Sequence, residues 1–165
     1  MKILAIDQSY TSCGIVVLND GQIQYVERFV TDKTRDIFER AWELTEHLRA
    51  IALNCKPDVI ALEGLAFAKN GNATRDLASL QSAIVTVLRF IDKYDTMIIS
   101  PNTVKKVATG KGNSSKEEMV EMLPEDVRRE FDALGVKKTT GLHDLCDAYF
   151  IGIAAQNVLI TQEKI

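Results

Sequence analysis

Four carboxylates occupy places where acids are uncommon. Asp7 closes the apolar run Ile3-Leu4-Ala5-Ile6, and Glu63 closes a second, Val59-Ile60-Ala61-Leu62. Charged residues rarely end such core-forming runs without a partner or a metal. Asp144 and Asp147 are spaced i, i+3 and so share one face of a helix. Brought together, four carboxylates repel each other. Divalent cations relieve that repulsion, and an all-oxygen donor set suits Mg²⁺ or Mn²⁺. Two such ions can activate a water and stabilise the leaving oxygen of a phosphodiester. Each acid also has a plainer reading. Asp7 could cap the turn formed by Ser9, Tyr10 and Thr11. Glu63 could pair with a Lys or Arg. Asp144 and Asp147 could serve a helix macrodipole. At this level both readings stay open.

Cations form the second signal. Between Thr96 and Lys116 lie four lysines, Lys105, Lys106, Lys111 and Lys116, and no acid. Residues 64–75 carry Lys69 and Arg75, again with no acid, whereas 117–132 hold seven acids and two arginines. Charge is therefore segregated along the chain. The loop Gly110-Lys111-Gly112-Asn113-Ser114-Ser115 offers backbone N–H groups and ammonium groups to phosphates. A solvated loop followed by a solvated helix face is the simpler alternative. The spacing of a Walker loop is absent. His143 could be a general base, a neighbour of the ligands or a ligand; a polar residue at a helix start is the simpler reading. His47 is expected at the surface, Trp42 at the edge of the core, and Met119 and Met122 in the core of an acidic helix.

These residues need elements to position them. Residues 2–7, 14–18 and 22–30 read as three consecutive antiparallel strands. Asn19-Asp20-Gly21 turns between the second and third. Alternation in the third places Ile23, Tyr25 and Glu27 on one face and Gln24, Val26 and Arg28 on the other. From Ile37 to Ala52 apolar residues recur at three- and four-residue spacing, an amphipathic helix. Val59–Leu62 lacks alternation, as in a parallel strand covered on both faces. A helix over 73–92, a strand at 97–99, a short helix from Pro101, an acidic helix over 116–133 and a buried helix over 143–159 follow. Leaving aside the short helix from Pro101, the order is β-β-β-α-β-α-β-α-α. It predicts one α/β domain over residues 1–165, with a mixed five-stranded sheet flanked by helices.

Composition narrows the function classes. A net charge of −3 excludes a strongly basic, histone-like chain but not a local nucleic-acid-binding patch. Cys13, Cys55 and Cys146 are odd in number and form no C-x-x-C, so buried free thiols in a reducing compartment are expected. The N-terminus runs straight into a strand pattern, unlike a secretory leader, and the apolar runs are too short to span a bilayer. The expectation is a soluble, cytoplasmic protein.

Over most of its length the sequence resembles the RuvC family of Holliday-junction resolvases, within the RNase H-like nuclease superfamily. Ile3-Leu4-Ala5-Ile6-Asp7 with Gly14, Ile60-Ala61-Leu62-Glu63, and Ala68-Lys69-Asn70 resemble that family's first segments. So do Pro101-x-x-Val104-Lys105, Gly110-x-Gly112 with Lys116, and Asp144-x-x-Asp147-Ala148. The resemblance implies an RNase H-like fold and an endonuclease for four-way DNA junctions. It implies a Mg²⁺-dependent enzyme, with Mn²⁺ also supporting activity, that works as a homodimer with no membrane partner. Two active sites would then cut two like strands of a two-fold junction. Asp7, Glu63, Asp144 and Asp147 carry over as metal ligands. Lys105 and Lys116 carry over as phosphate contacts, with Lys116 stabilising charge at the scissile bond. Lys111, Lys69 and Asn70 join them on DNA, and the dimer surface falls on the 72–93 helix and its surroundings.

The sequence departs from that family in places. Bacterial members carry Asp-Pro-Gly at the first acid; here it is Asp7-Gln8-Ser9. The aromatic wedge position falls on Ala66, and Phe67 one residue later is the candidate for stacking on bases. The acidic 117–132 segment also differs. On these grounds the chain looks most like versions carried by phages of Gram-positive bacteria, which would place it in the host cytoplasm. Relaxed specificity that extends to forks is expected, and coupling to a branch-migration motor is left open. The competing readings are an RNA–DNA-hybrid nuclease or exonuclease of the same fold, a catalytically inactive junction-binding module, and a sugar-kinase-like ATP-binding fold.

Overall fold

A computed structural model describes residues 1–65, 71–136 and 140–162. Its order is β1 (Lys2–Asp7), β2 (Ser12–Asn19), β3 (Gln22–Val30), α1 (Ile37–Cys55), β4 (Val59–Glu63), α2 (Gly71–Val85), β5 (Thr96–Ile99), α3 (Pro101–Thr109), α4 (Lys116–Glu121), α5 (Glu125–Ala133) and α6 (Thr140–Gln162). The sheet order is β3-β2-β1-β4-β5. β1, β2 and β3 pair antiparallel, and β4 and β5 add in parallel on the other side of β1. This is the expected mixed sheet.

Period-two alternation splits the core between the two faces. Ile3, Ala5, Val16, Leu18 and Ala61 pack under α6. Leu4, Ile6, Ile15, Val17, Ile60 and Leu62 pack against α1 and α2 on the opposite face. Asp36 starts α1 as a capping box. Its side chain accepts from Phe38 and Glu39 N–H, and Glu39 reaches back to the Asp36 N–H. α6 lies close on the strands because Gly152 faces Leu18 and Ala5; a Cβ there would come within 2.7 Å of Leu18 Cδ1.

Several expectations are corrected. The 116–133 helix is two helices, because Pro124 has no N–H to donate and its ring blocks the preceding turn. Met119 is buried, but Met122, at the end of α4, is exposed. Trp42 is 62% exposed and not packed at the core edge. Strict alternation in β3 fails because the β2–β3 register shifts between Val17 and Leu18. That bulge puts Ile23 on the α6 face beside Val26. α2 runs on as a π-helical segment, Thr86–Ile91. His47 is half-buried, stacked on Phe29 with ring centroids 4.1 Å apart. The three cysteines are free, with Cys13 and Cys146 buried and Cys55 partly so. Among the described residues no helix is long and apolar enough to cross a membrane.

Candidate active site

Register alone assembles one row across the sheet. Arg28 pairs with Gly14, and Gly14 pairs with Asp7. Ile6 pairs with Leu62, which leaves Asp7 and Glu63 side by side where β1 and β4 end. Ile6 and Leu62 face α1 and α2, so the next residue on each strand turns to the other face, beneath α6. Gly14 is the bare position in this row. A Cβ on it would collide with the Asp144 carbonyl, 2.5 Å from its carbon and 3.2 Å from Leu145 N. The missing side chain therefore lets the first turns of α6 settle directly over the row.

α6 brings Asp144 and Asp147 to different surroundings. Asp147 is 6% exposed, and Lys116 Nζ, from the start of α4, donates to its Oδ2 at 2.5 Å. Asp144 Oδ2 accepts from Ser12 Oγ at 2.5 Å and from Arg28 Nε at 3.2 Å. Both partners come from the strands beneath α6. Ser12 and Arg28 are contacts of Asp144 that sequence reasoning does not find. Arg28 is signalled only by its register with Gly14, and Ser12 only by lying two residues before Gly14 on the same strand face, which appears once the strands are paired.

Electrostatics mark three of the acids as a group. Burial pushes the Asp7 carboxyl well above the usual carboxylate range, and Asp147 and Glu63 push it further. Burial and the charge of Asp147 raise Glu63 to about 7, against a smaller pull from Lys116 and Lys105. Burial also raises Asp147, although Lys116 offsets part of the effect. Lys116 shows the complement. Burial works to lower it, but Asp147, Asp7 and Glu63 together hold it above its ordinary value. A group of buried and half-buried carboxylates short of positive charge is what an added cation would stabilise. Among the described residues, no three His, Cys, Asp or Glu side chains stand at ligand spacing around one point. The donor set is nevertheless all oxygen and short of charge, which fits a hard divalent ion.

A pH dependence follows. Between about pH 4.5 and about 7 the folded chain holds a proton on Glu63 that the unfolded chain has released. Metal-free protein therefore loses stability as pH rises through this window, and the raised Asp7 and Asp147 act in the same direction. Melting curves in EDTA at about pH 5 and about pH 8 should show the lower melting temperature at the higher pH. Glu63→Gln should flatten the difference.

The remaining expected residues fall into two sets. Lys105 stands near enough to Glu63 to pull down its carboxyl. Lys111 is exposed on the loop before α4, where its main chain bonds the Thr109 hydroxyl. His143 faces Glu117, with Nε2 3.9 Å from Oε1. Phe67, Lys69 and Asn70 lie outside the described residues, as does Ala66.

A family model described as crossover junction endodeoxyribonuclease RuvC matches residues 3–154. The crossover junction endodeoxyribonuclease RuvC of Aliarcobacter butzleri is 31% identical over 157 residues, covering 93% of this chain and 96% of that protein. Among solved structures, Thermus thermophilus RuvC in complex with a Holliday junction substrate superposes with a TM-score of 0.78 at 22% identity, covering 98% of this chain and 96% of that one. The yeast mitochondrial Holliday junction resolvase Ydc2 superposes with a TM-score of 0.64 at 18% identity, covering 92% and 76%. At these identities the structural likenesses carry the fold.

Proposed function

The chain belongs to the crossover junction endodeoxyribonuclease RuvC family, and from that premise we propose that it is a Mg²⁺-dependent endonuclease that cuts four-way DNA junctions as a homodimer. The observation that carries the reading is the half-buried row of Asp7 and Glu63 under α6, with buried Asp147 above it and all three carboxyls pushed toward their neutral form. Asp7, Glu63, Asp147 and the Oδ1 atom of Asp144 would hold the metal. When bound, the metal supplies an activated water and stabilisation for the leaving oxygen. Ser12 and Arg28 fix Asp144 through its other oxygen. Lys116, held on Asp147, is placed to offset charge developing on phosphate. Lys105 and Lys111 supply cations for the backbone on either side, and Phe67, Lys69 and Asn70 are proposed DNA contacts from the segment after β4.

The test is cleavage of an end-labelled four-way junction, a replication fork and a linear duplex in Mg²⁺. Paired symmetric nicks in the junction establish a resolvase. Equal cutting of the fork extends the substrate to branched DNA in general. Junction binding without any cutting overturns the enzyme reading.

A second copy is proposed to cover the face between α1 and α2. Phe38 and Trp42 of α1 stand 78% and 62% exposed, lining a groove with Ala83 and Val87. Phe90 and Ile91 extend the exposed apolar surface along the π-helical segment. Exposed aromatics at a helix pair are the anchors an interface needs. Trp42→Asp should weaken self-association by about 30-fold or more while leaving the monomer folded. Sedimentation reads the mass, and an unchanged dimer moves the interface elsewhere. A phage source and a host-cytoplasmic location are also proposed, resting on Asp7-Gln8-Ser9 in place of Asp-Pro-Gly. The genes flanking the coding sequence test this.

A further inference from the structure

We propose that Gln8 and Gln81 are positioning residues for Glu63, fixing the peptide that carries its carboxylate so that a divalent cation meets it already in place. This rests on reading Asp7, Glu63 and Asp147 as metal ligands.

Backbone pairing between β1 and β4 ends at Ile6 and Leu62. β1 leaves the sheet after Asp7, at the point where Glu63 still needs a neighbour. Two side-chain amides meet that need. Gln8 Nε2 donates to the Glu63 carbonyl at 2.7 Å, and Gln81 Nε2, from α2, donates to the same oxygen at 2.7 Å. Both acceptor positions of that carbonyl are thus engaged. On the other side β4 is tied to β5, where Gly64 N–H donates to Ile99 O at 2.7 Å. The Glu63 peptide is therefore held from both sides at the last residue of its strand.

The arrangement carries a cost that points to its purpose. Gln8 is 7% exposed, and its Oε1 is buried with no hydrogen-bond partner among the described residues. Leaving a buried amide oxygen unsatisfied is unfavourable. An apolar side chain of the same length would avoid that cost but could not hold the Glu63 carbonyl. Groups that orient a ligand without touching the metal commonly govern its affinity. Gln81 also makes the hold reach across elements, since it ties α2 to the end of β4.

Gln8→Met, Gln81→Met and the double variant test this, because methionine keeps length and approximate volume while removing the donor. Mn²⁺ alone is the probe, titrated without DNA and followed by the electron paramagnetic resonance of the free ion. Melting in EDTA reports the fold. The expected result is a Mn²⁺ Kd about 10-fold weaker in each single variant and up to about 100-fold weaker in the double. The melting temperature in EDTA is expected to be unchanged or raised in Gln8→Met, unchanged in Gln81→Met, and modestly lowered in the double variant, where the Glu63 carbonyl loses both donors. A double variant that binds Mn²⁺ as the wild type does overturns the proposal. So does one whose metal-free melting temperature collapses, since the amides would then hold the fold rather than one side chain. Wild-type protein that binds no Mn²⁺ overturns the metal reading itself, and is thereby distinct from a failure of this proposal alone.

Discussion

Asp7→Asn should abolish junction cleavage while the protein still folds and binds the junction. Asn has nearly the shape of Asp, so the row of Arg28, Gly14, residue 7 and Glu63 keeps its register. What changes is charge at its centre. Asp7 is flanked by Asp147 and Glu63, each of which raises its pKa. Removing its charge relieves that repulsion and takes away one of the proposed anionic ligands. The expected loss is about 10³-fold or more in rate, or about 4 kcal/mol of activation free energy. The same substitution should leave the metal-free melting temperature equal or higher, because burial already disfavours the charged form. Junction binding in Ca²⁺ is the control, since Lys105 and Lys111 do not depend on Asp7. Substantial cleavage by the variant would remove Asp7 from the chemistry.

Gly14→Ala should be nearly as damaging, for a reason that involves no chemistry. A single methyl group at this position meets main-chain atoms of Asp144 and Leu145, which have no rotamer to turn away. α6 must lift at its first turns. Asp144 would move off Ser12 and Arg28, and Asp147 would move away from Asp7 and Lys116. Overpacking of this kind costs about 1–3 kcal/mol of stability. A displacement of about 1 Å among reacting groups can cost about 100-fold in rate. A melting curve and a cleavage rate on the same preparation separate the two losses. Wild-type activity in this variant would show that α6 need not lie where it does.

Much of the arrangement is legible in the order of the residues. Asp7 and Glu63 end apolar runs, and two parallel strands that end together place such residues side by side. The i, i+3 spacing of Asp144 and Asp147 is equally plain. What escapes sequence reading depends on pairing between distant segments. Arg28 reads as one polar residue of an alternating strand; its role appears only when register sets it beside Gly14. The bulge between β2 and β3 leaves no mark in composition, and so simple alternation puts Ile23 on the wrong face. Pro124 is visible within the acidic stretch, but the helix-forming residues around it outweigh it. Trp42 reads as packed at the edge of the core because large aromatics usually are buried; it lies instead on the outward side of α1, 62% exposed, where the proposed second copy would cover it. Gln8 is visible as an amide directly after a core strand, although its partner, the Glu63 carbonyl, lies fifty-five residues away.

The segregation of charge along the chain has a consequence in space. α3 and its loop bring Lys105, Lys106 and Lys111, while α4 and α5 follow at once with Glu117, Glu118, Glu121, Glu125, Asp126, Glu130 and Asp132. The near-balanced total thus joins a basic segment to an acidic one, with Lys116 at the boundary between them. A polyanion that approaches such a surface feels a torque before it makes any contact. On the proposed reading, DNA would be turned so that its backbone lies along the lysine segment and away from the acidic helices. Wrong orientations would then be rejected during approach rather than after docking, and added salt should erode this sorting before it erodes the fold.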